Sequence, residues 1–257
     1  VVIFAKNTNN NFIIPVLIAS IIPIINFLLV FFYLPETKPN SEINKSKTAL
    51  KNPLKALFTV FKEEKIKKLS LAFFIYFIAF TGLTNILIFF LQESLNWTTK
   101  ASSGTLVVVG IIAIIVQGGL IGPLVKQFGE MRLTLIGSGF ILVACALLIT
   151  APKENATINI YSAVSFLAVG AGLITPTLRA LISKKLDVDK QGSILSNLQG
   201  LQSLGGVLGI AMAGRVYDSF GPKSPFIAGS VILLFMIYLI AEGKNNNSFK
   251  NQKLKVF

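Results

Sequence analysis

The chain has 257 residues, of which 53% are hydrophobic and only 14% charged, with a mean hydropathy of +0.71. That balance excludes an ordinary water-soluble domain and points to a chain that lives in lipid. The formal charge of +13 does not indicate nucleic acid, because the basic residues sit between apolar runs instead of on the face of a polar domain; the single cysteine, Cys145, can form no internal disulfide and reads as packing filler.

A helix crossing a hydrocarbon core of about 30 Å needs about 20 residues. The opening VVIFA is too short to span and lacks the basic start of a signal peptide, so the expectation is the tail of an eighth span in a longer protein. Seven complete runs follow, at residues 12–34, 69–91, 104–125, 133–150, 158–178, 193–214 and 225–241, each bounded by charges, Asn clusters, Pro or Gly. The first ends at Pro35 and Glu36, where lysines take over.

In that lysine-rich loop, Asn52 fits an N-cap and Pro53 the first helical position. Leu54, Leu57, Phe58 and Phe61 recur at helical spacing, which predicts an amphipathic helix on the inner leaflet. Such a helix serves as a linker between two bundles or as a reader of anionic lipid through Lys55, Lys62, Lys65, Lys67 and Lys68.

Orientation follows from Lys and Arg, since short loops rich in them stay cytoplasmic. The loop over 38–68 holds nine, the turn over 126–132 two, the loop over 179–190 four and the tail after Glu242 four, giving nineteen; the alternate loops hold five. The central loop and the carboxy terminus are therefore expected in the cytoplasm. The organisation reads as 1–34, a span end and a span; 35–68, a central loop; 69–242, a six-helix bundle; and 243–257, a cytoplasmic tail.

The chain has no histidine, and Asp187, Asp189 and Asp218 lie in loops or at a helix end. Intramembrane metalloprotease, aspartyl protease and His-dependent transferase chemistry therefore lack their groups, and the reading is no enzyme, no metal and no cofactor. No glutamate lies inside a run either, so a buried carboxylate that carries protons is not expected in this segment.

The runs do carry uncharged polarity. Thr81, Thr84 and Asn85 fall in the second, Gln117 in the third, Thr175 and Thr177 in the fifth, and Asn197, Gln199, Gln202 and Ser203 in the sixth. These groups either join helices by hydrogen bonds or line a watery cavity. The fourth and seventh runs carry only small hydroxyls and read as outer helices facing lipid. Gly118 and Gly122, and then Gly205, Gly209 and Ala213, repeat every four residues, the pattern of close backbone approach. Pro15, Pro23 and Pro176 inside runs predict kinks.

LPETK at 34–38 is similar to the end of a sixth span where a central loop begins; GGLIGPLVKQFGEMR at 118–132 is similar to a Gly-x-Leu-x-Asp-Arg-x-Gly-Arg loop; and 181–209, LISKKLDVDKQGSILSNLQGLQSLGGVLG, has Asp then Gln-Gly before a small-residue helix. Together these resemble the second half of a major facilitator superfamily transporter, closest in pattern to drug:proton antiporters of the tetracycline-exporter type. The resemblance covers nearly the whole chain and implies an all-α membrane bundle in which two six-helix halves rock about a central site while a proton gradient drives export. The loop aspartate of that family is missing, with Val125 and Lys126 in its region, so only Gly122, Gly129 and Arg132 carry over, as structural gate positions.

The expected function is secondary transport: efflux of a small amphipathic compound from the cell membrane, in partnership with the bilayer and an amino-terminal half. Phe80 and Phe89, with Phe90, offer apolar contact, and Asn85, Gln117, Thr175, Gln199 and Gln202 offer hydrogen bonds. The alternatives are a non-transporting membrane scaffold or subunit, whose polar residues only join helices, and an uptake permease of the same fold.

Overall fold

The computed structural model of the chain describes residues 13–33, 57–152 and 156–253, all helices and short connections. The chain divides into two units, one ending at Lys51 and the other starting at Asn52. In the first, α1 runs over Ile13–Tyr33 with Pro23 inside it, and the side chains from Phe27 to Tyr33 are exposed. An apolar helix with no polar face has no water-facing side, which suits lipid.

The second unit opens with a 3₁₀ turn at Phe58–Phe61 and continues through α2 (Lys67–Phe89), α3 (Thr99–Ile115), α4 (Ile121–Phe128), α5 (Glu130–Ile149), α6 (Thr157–Ser183), α7 (Val188–Phe220) and α8 (Ser224–Lys253). Five-residue π-helical turns at Phe90–Ser94 and Val116–Leu120 extend α2 and join α3 to α4. The described part of the expected amphipathic helix is thus a 3₁₀ turn with Val60 buried, and residues 52–56, the lysine loop before them and the opening VVIFA lie outside the described residues.

Local chemistry sets the helix ends. Thr98 caps α3, its hydroxyl accepting from the Ala101 amide at 3.3 Å. Gly129, at φ +76°, and Gly221, at φ +92°, reverse the chain between α4 and α5 and between α7 and α8, in a region where a Cβ would strain the backbone. Pro176 sits inside an unbroken α6.

Among the described residues, five segments are long and apolar enough to cross a membrane: Lys67–Ser94, Thr99–Phe128, Glu130–Ile149, Thr157–Ser183 and Ser224–Glu242. They coincide with five of the seven expected runs, and α1, Ile13–Tyr33, and α7, 33 residues long and diluted by Gln191, Asn197, Gln199 and Gln202, are the helices at the other two. Helix also continues past Glu242 to Lys253, where a tail was expected.

α2 packs between α7 and α8, α6 between α5 and α3, and contact of α8 with α5 and of α2 with α6 joins the two groups. Lipid is as apolar as leucine, so this packing is held by close contact and internal hydrogen bonds, not by exclusion from water. Phe73, Tyr76, Phe90 and Phe226 are fully buried, with Phe90 and Phe226 edge-on at 5.1 Å. The α2–α7 seam is closest. A Cβ on Gly209 would lie 2.2 Å from the Ile78 carbonyl oxygen, and one on Gly205 3.1 Å from that of Phe74. Gly137 and Gly170 seal α5 to α6 in the same way, beside a 2.8 Å hydrogen bond between the Thr134 and Thr177 hydroxyls.

Among the described residues, three ion pairs tie the end of the bundle at which α2, α5 and α7 begin. Lys68 meets Glu242 at 2.6 Å, Lys190 meets Glu63 at 2.7 Å, and Lys184 pairs with Glu130. At the other end Tyr217 donates to Glu93 at 2.9 Å.

Candidate functional site

The seven candidate side chains fall into two groups. One gathers where α2, α6 and α7 meet. The Tyr76 and Phe80 rings stack at 5.5 Å with 13° between planes, and the Tyr76 hydroxyl lies 3.3 Å from the Thr175 hydroxyl. One turn beyond Thr175, Arg179 reaches across to α7: its Nη2 donates to Gln199 Oε1 at 2.6 Å and to Gln202 Oε1 at 2.5 Å. Its guanidinium carbon stands 5.9 Å from the centre of the Phe73 ring, a cation over an aromatic face. Phe80, Thr175, Gln199 and Gln202 are therefore brought into one region, with Gln199 exposed and the other three half-buried.

The other group stays on open surface. Asn85 is exposed and donates to the Thr81 carbonyl of its own helix at 2.9 Å. Phe89, one turn along, is 57% exposed. Gln117 is exposed in the π-helical turn, a feature that occurs often at functional sites because it breaks the regular ladder. No described contact links these three to the Arg179 cluster. Among the gate positions, Gly129 makes the α4–α5 reversal, Arg132 is exposed, and a Cβ on Gly122 or on Gly118 would meet no described atom within 4 Å. The close approach expected at Gly118 and Gly122 is thus absent within the described residues, whereas that at Gly205 and Gly209 is present.

Two site members escaped the sequence reading. Arg179 stood just past the run ending at residue 178 and counted as loop, but α6 continues to Ser183 and takes it in. The signal was available: Thr175 and Arg179 are one helical turn apart and share a face. Tyr76, fully buried, passed for core in an aromatic-rich helix, and only its hydroxyl's partner on α6 marks it. Asn197, grouped with the cavity candidates in sequence, bonds instead to the Thr59 hydroxyl at 3.1 Å and anchors the 3₁₀ turn to α7.

Long apolar helices carrying amides and hydroxyls on their faces, with the Arg179 guanidinium among them, define a polytopic membrane protein of the helical-bundle class. Residues 7–210 match the Major Facilitator Superfamily, and the chain belongs to that family, whose members are membrane transporters of small molecules and not enzymes. It is 24% identical over 204 residues to the tetracycline resistance protein, class H, of Pasteurella multocida, covering 79% of this chain and 50% of the relative. The class D protein of Salmonella ordonez is 27% identical over 214 residues, with 79% and 50% covered. Human hippocampus abundant transcript-like protein 1 is 21% identical over 253 residues, with 88% and 49% covered. The chain spans about half the length of these curated relatives.

Proposed function

We propose that this chain is the carboxy-terminal half of a proton-coupled efflux transporter for small amphipathic compounds, working by alternating access against an amino-terminal half. In this reading α2, the α3–α4 span, α6 and α7 surround the central path, α5 and α8 face lipid, and α1 and α7 also cross the bilayer. The observation that carries it is the exposure of Asn85 and Gln117 on spans that are otherwise apolar, with Gln199 exposed on the more polar α7. Lipid does not solvate carboxamides, so these faces call for a polar cavity or a second protein surface. Similarity to tetracycline resistance proteins supports drug efflux. The lysine-rich end of the bundle faces the cytoplasm and the membrane is the cell membrane. Coupling carboxylates belong to the other half, since no Asp, Glu or His lies within the apolar runs.

The test is reconstitution in liposomes with a pH gradient. Residues 1–257 alone should show no gradient-driven movement of an amphipathic dye, and co-production with the amino-terminal half should restore it. In the restored pair, Ala at Asn85 or Gln117 should alter the substrate profile at unchanged folded amount. Losses of activity that always track losses of folded protein would favour the scaffold reading.

A further inference from the structure

We propose that Arg179, Gln199 and Gln202, with the half-buried ring of Phe80 beyond them, form a recognition site for the carboxylate of an amphipathic, aromatic substrate. This deepens the transport reading and rests on it. A guanidinium has five N–H donors in a planar fork. Both described hydrogen bonds of Arg179 leave from the one nitrogen, Nη2, so Nη1 and Nε make no described bond. Gln199 and Gln202 each accept through the carbonyl oxygen, and that turns their amide NH₂ groups into additional donors at the same place. The cluster therefore offers positive charge and several donors.

No ion pair among the described residues involves Arg179. A charge held among apolar helices ordinarily has a partner, and ionisable groups in such segments mark substrate or ion pathways. Arg179 carries its charge without one, and its Nη1 and Nε hydrogens are left to donate singly to a carboxylate, because both two-bond edges of the guanidinium share the Nη2 already given to Gln199 and Gln202. The aromatic part of the preference comes from α2. Phe73, fully buried, lies under the guanidinium and holds it, and Phe80, half-buried and stacked on Tyr76, presents a partly open ring further along the same helix. A carboxylate joined to a ring satisfies both halves of the site.

The probes are benzoate and its neutral analogue benzamide, read by thermal unfolding of the purified chain in an uncharged detergent. Benzoate should raise the unfolding temperature saturably and less so at high salt, while benzamide leaves it unchanged. Arg179→Gln should weaken the apparent benzoate affinity by about tenfold or more, the scale of losing hydrogen bonds to a charged group, and Arg179→Lys should fall between the two. Equal shifts from benzoate and benzamide in the unaltered chain would overturn the proposal without any variant, as would an Arg179→Gln protein that keeps the benzoate shift. Inorganic phosphate that matches benzoate would make the site a bare oxyanion site and also sink it. Transport is scored separately: efflux of a cationic dye without a benzoate-selective shift removes the carboxylate site and leaves the transporter standing, and a selective shift without any efflux does the reverse.

Discussion

Two glycine-spaced faces carry the same signature and meet different fates. On α7, Gly205 and Gly209 press against α2 so closely that a single added carbon at Gly209 would sit 2.2 Å from a backbone oxygen. On the α3–α4 span, Gly118 and Gly122 have the same spacing and no described atom within 4 Å of where a Cβ would stand. The difference lies in the neighbours and not in the glycines. A small-residue stripe records that something approaches, and what approaches α4 is, under the proposed function, the opposing half of the transporter. The α3–α4 span, Thr99–Phe128, is also the least buried of the five that qualify by length and apolarity.

The largest expected effect breaks the sealed face. Gly209→Ala should destabilise the chain by about 3 kcal/mol or more, because the clash is with backbone and overpacking costs rise steeply where nothing can yield. Denaturant titration in mild detergent measures it. Gly122→Ala is the contrast: with open space and better helix propensity it should leave stability unchanged or raise it by up to about 1 kcal/mol. Equal losses at both positions would mean that α4 has an internal partner after all. The larger Gly122→Leu should leave the folded amount unchanged yet abolish transport by the reconstituted pair, since its side chain would occupy the surface that the other half needs.

A smaller effect belongs to the second sealed seam. Thr134→Val removes one of the two hydroxyls that meet at 2.8 Å between α5 and α6, while Thr177 keeps its bond to the Leu173 carbonyl at 2.7 Å. The expected loss is about 0.5–1 kcal/mol, the usual worth of such a contact between membrane helices.

The positions of the five long apolar segments and the close-packed glycine face of α7 were legible in the sequence because apolar runs and four-residue spacing act locally. The extent of α6 was not, because a charge ordinarily ends an apolar run, and Arg179 continues the helix only with acceptors waiting on α7. Gln117 and Asn197 looked alike as amides on apolar helices; only tertiary structure separates the one left open from the one bonded to Thr59. Gly118 and Gly122 misled for the same reason, since spacing names a face and not its neighbour.

The smallest effect tests how the sealed side of the bundle is held at its entry, where Lys190 at the start of α7 meets Glu63 in the segment before α2 at 2.7 Å. No ion pair among the described residues does the same for the α3–α4 span. The hydrogen bond from Lys190, and then its charge, hold the Glu63 carboxyl below the usual carboxylate range, and the same pair raises the Lys190 pKa. A carboxylate with a depressed pKa adds stability above its unfolded pKa and loses it as pH falls through the lowered value; a lysine with a raised pKa adds stability below its unfolded pKa and loses it as pH climbs through the raised one. The pair therefore supports the fold across the neutral range and fails at both extremes. Both side chains are largely open to solvent, so the gain is small and screened by salt. Glu63→Gln should barely change stability at neutral pH in high salt but should flatten its decline on acidification, measured against the unaltered chain. An unchanged acid limb in Glu63→Gln would show that this contact does not hold the entry of α7, leaving the glycine seam and the Asn197–Thr59 bond to do so.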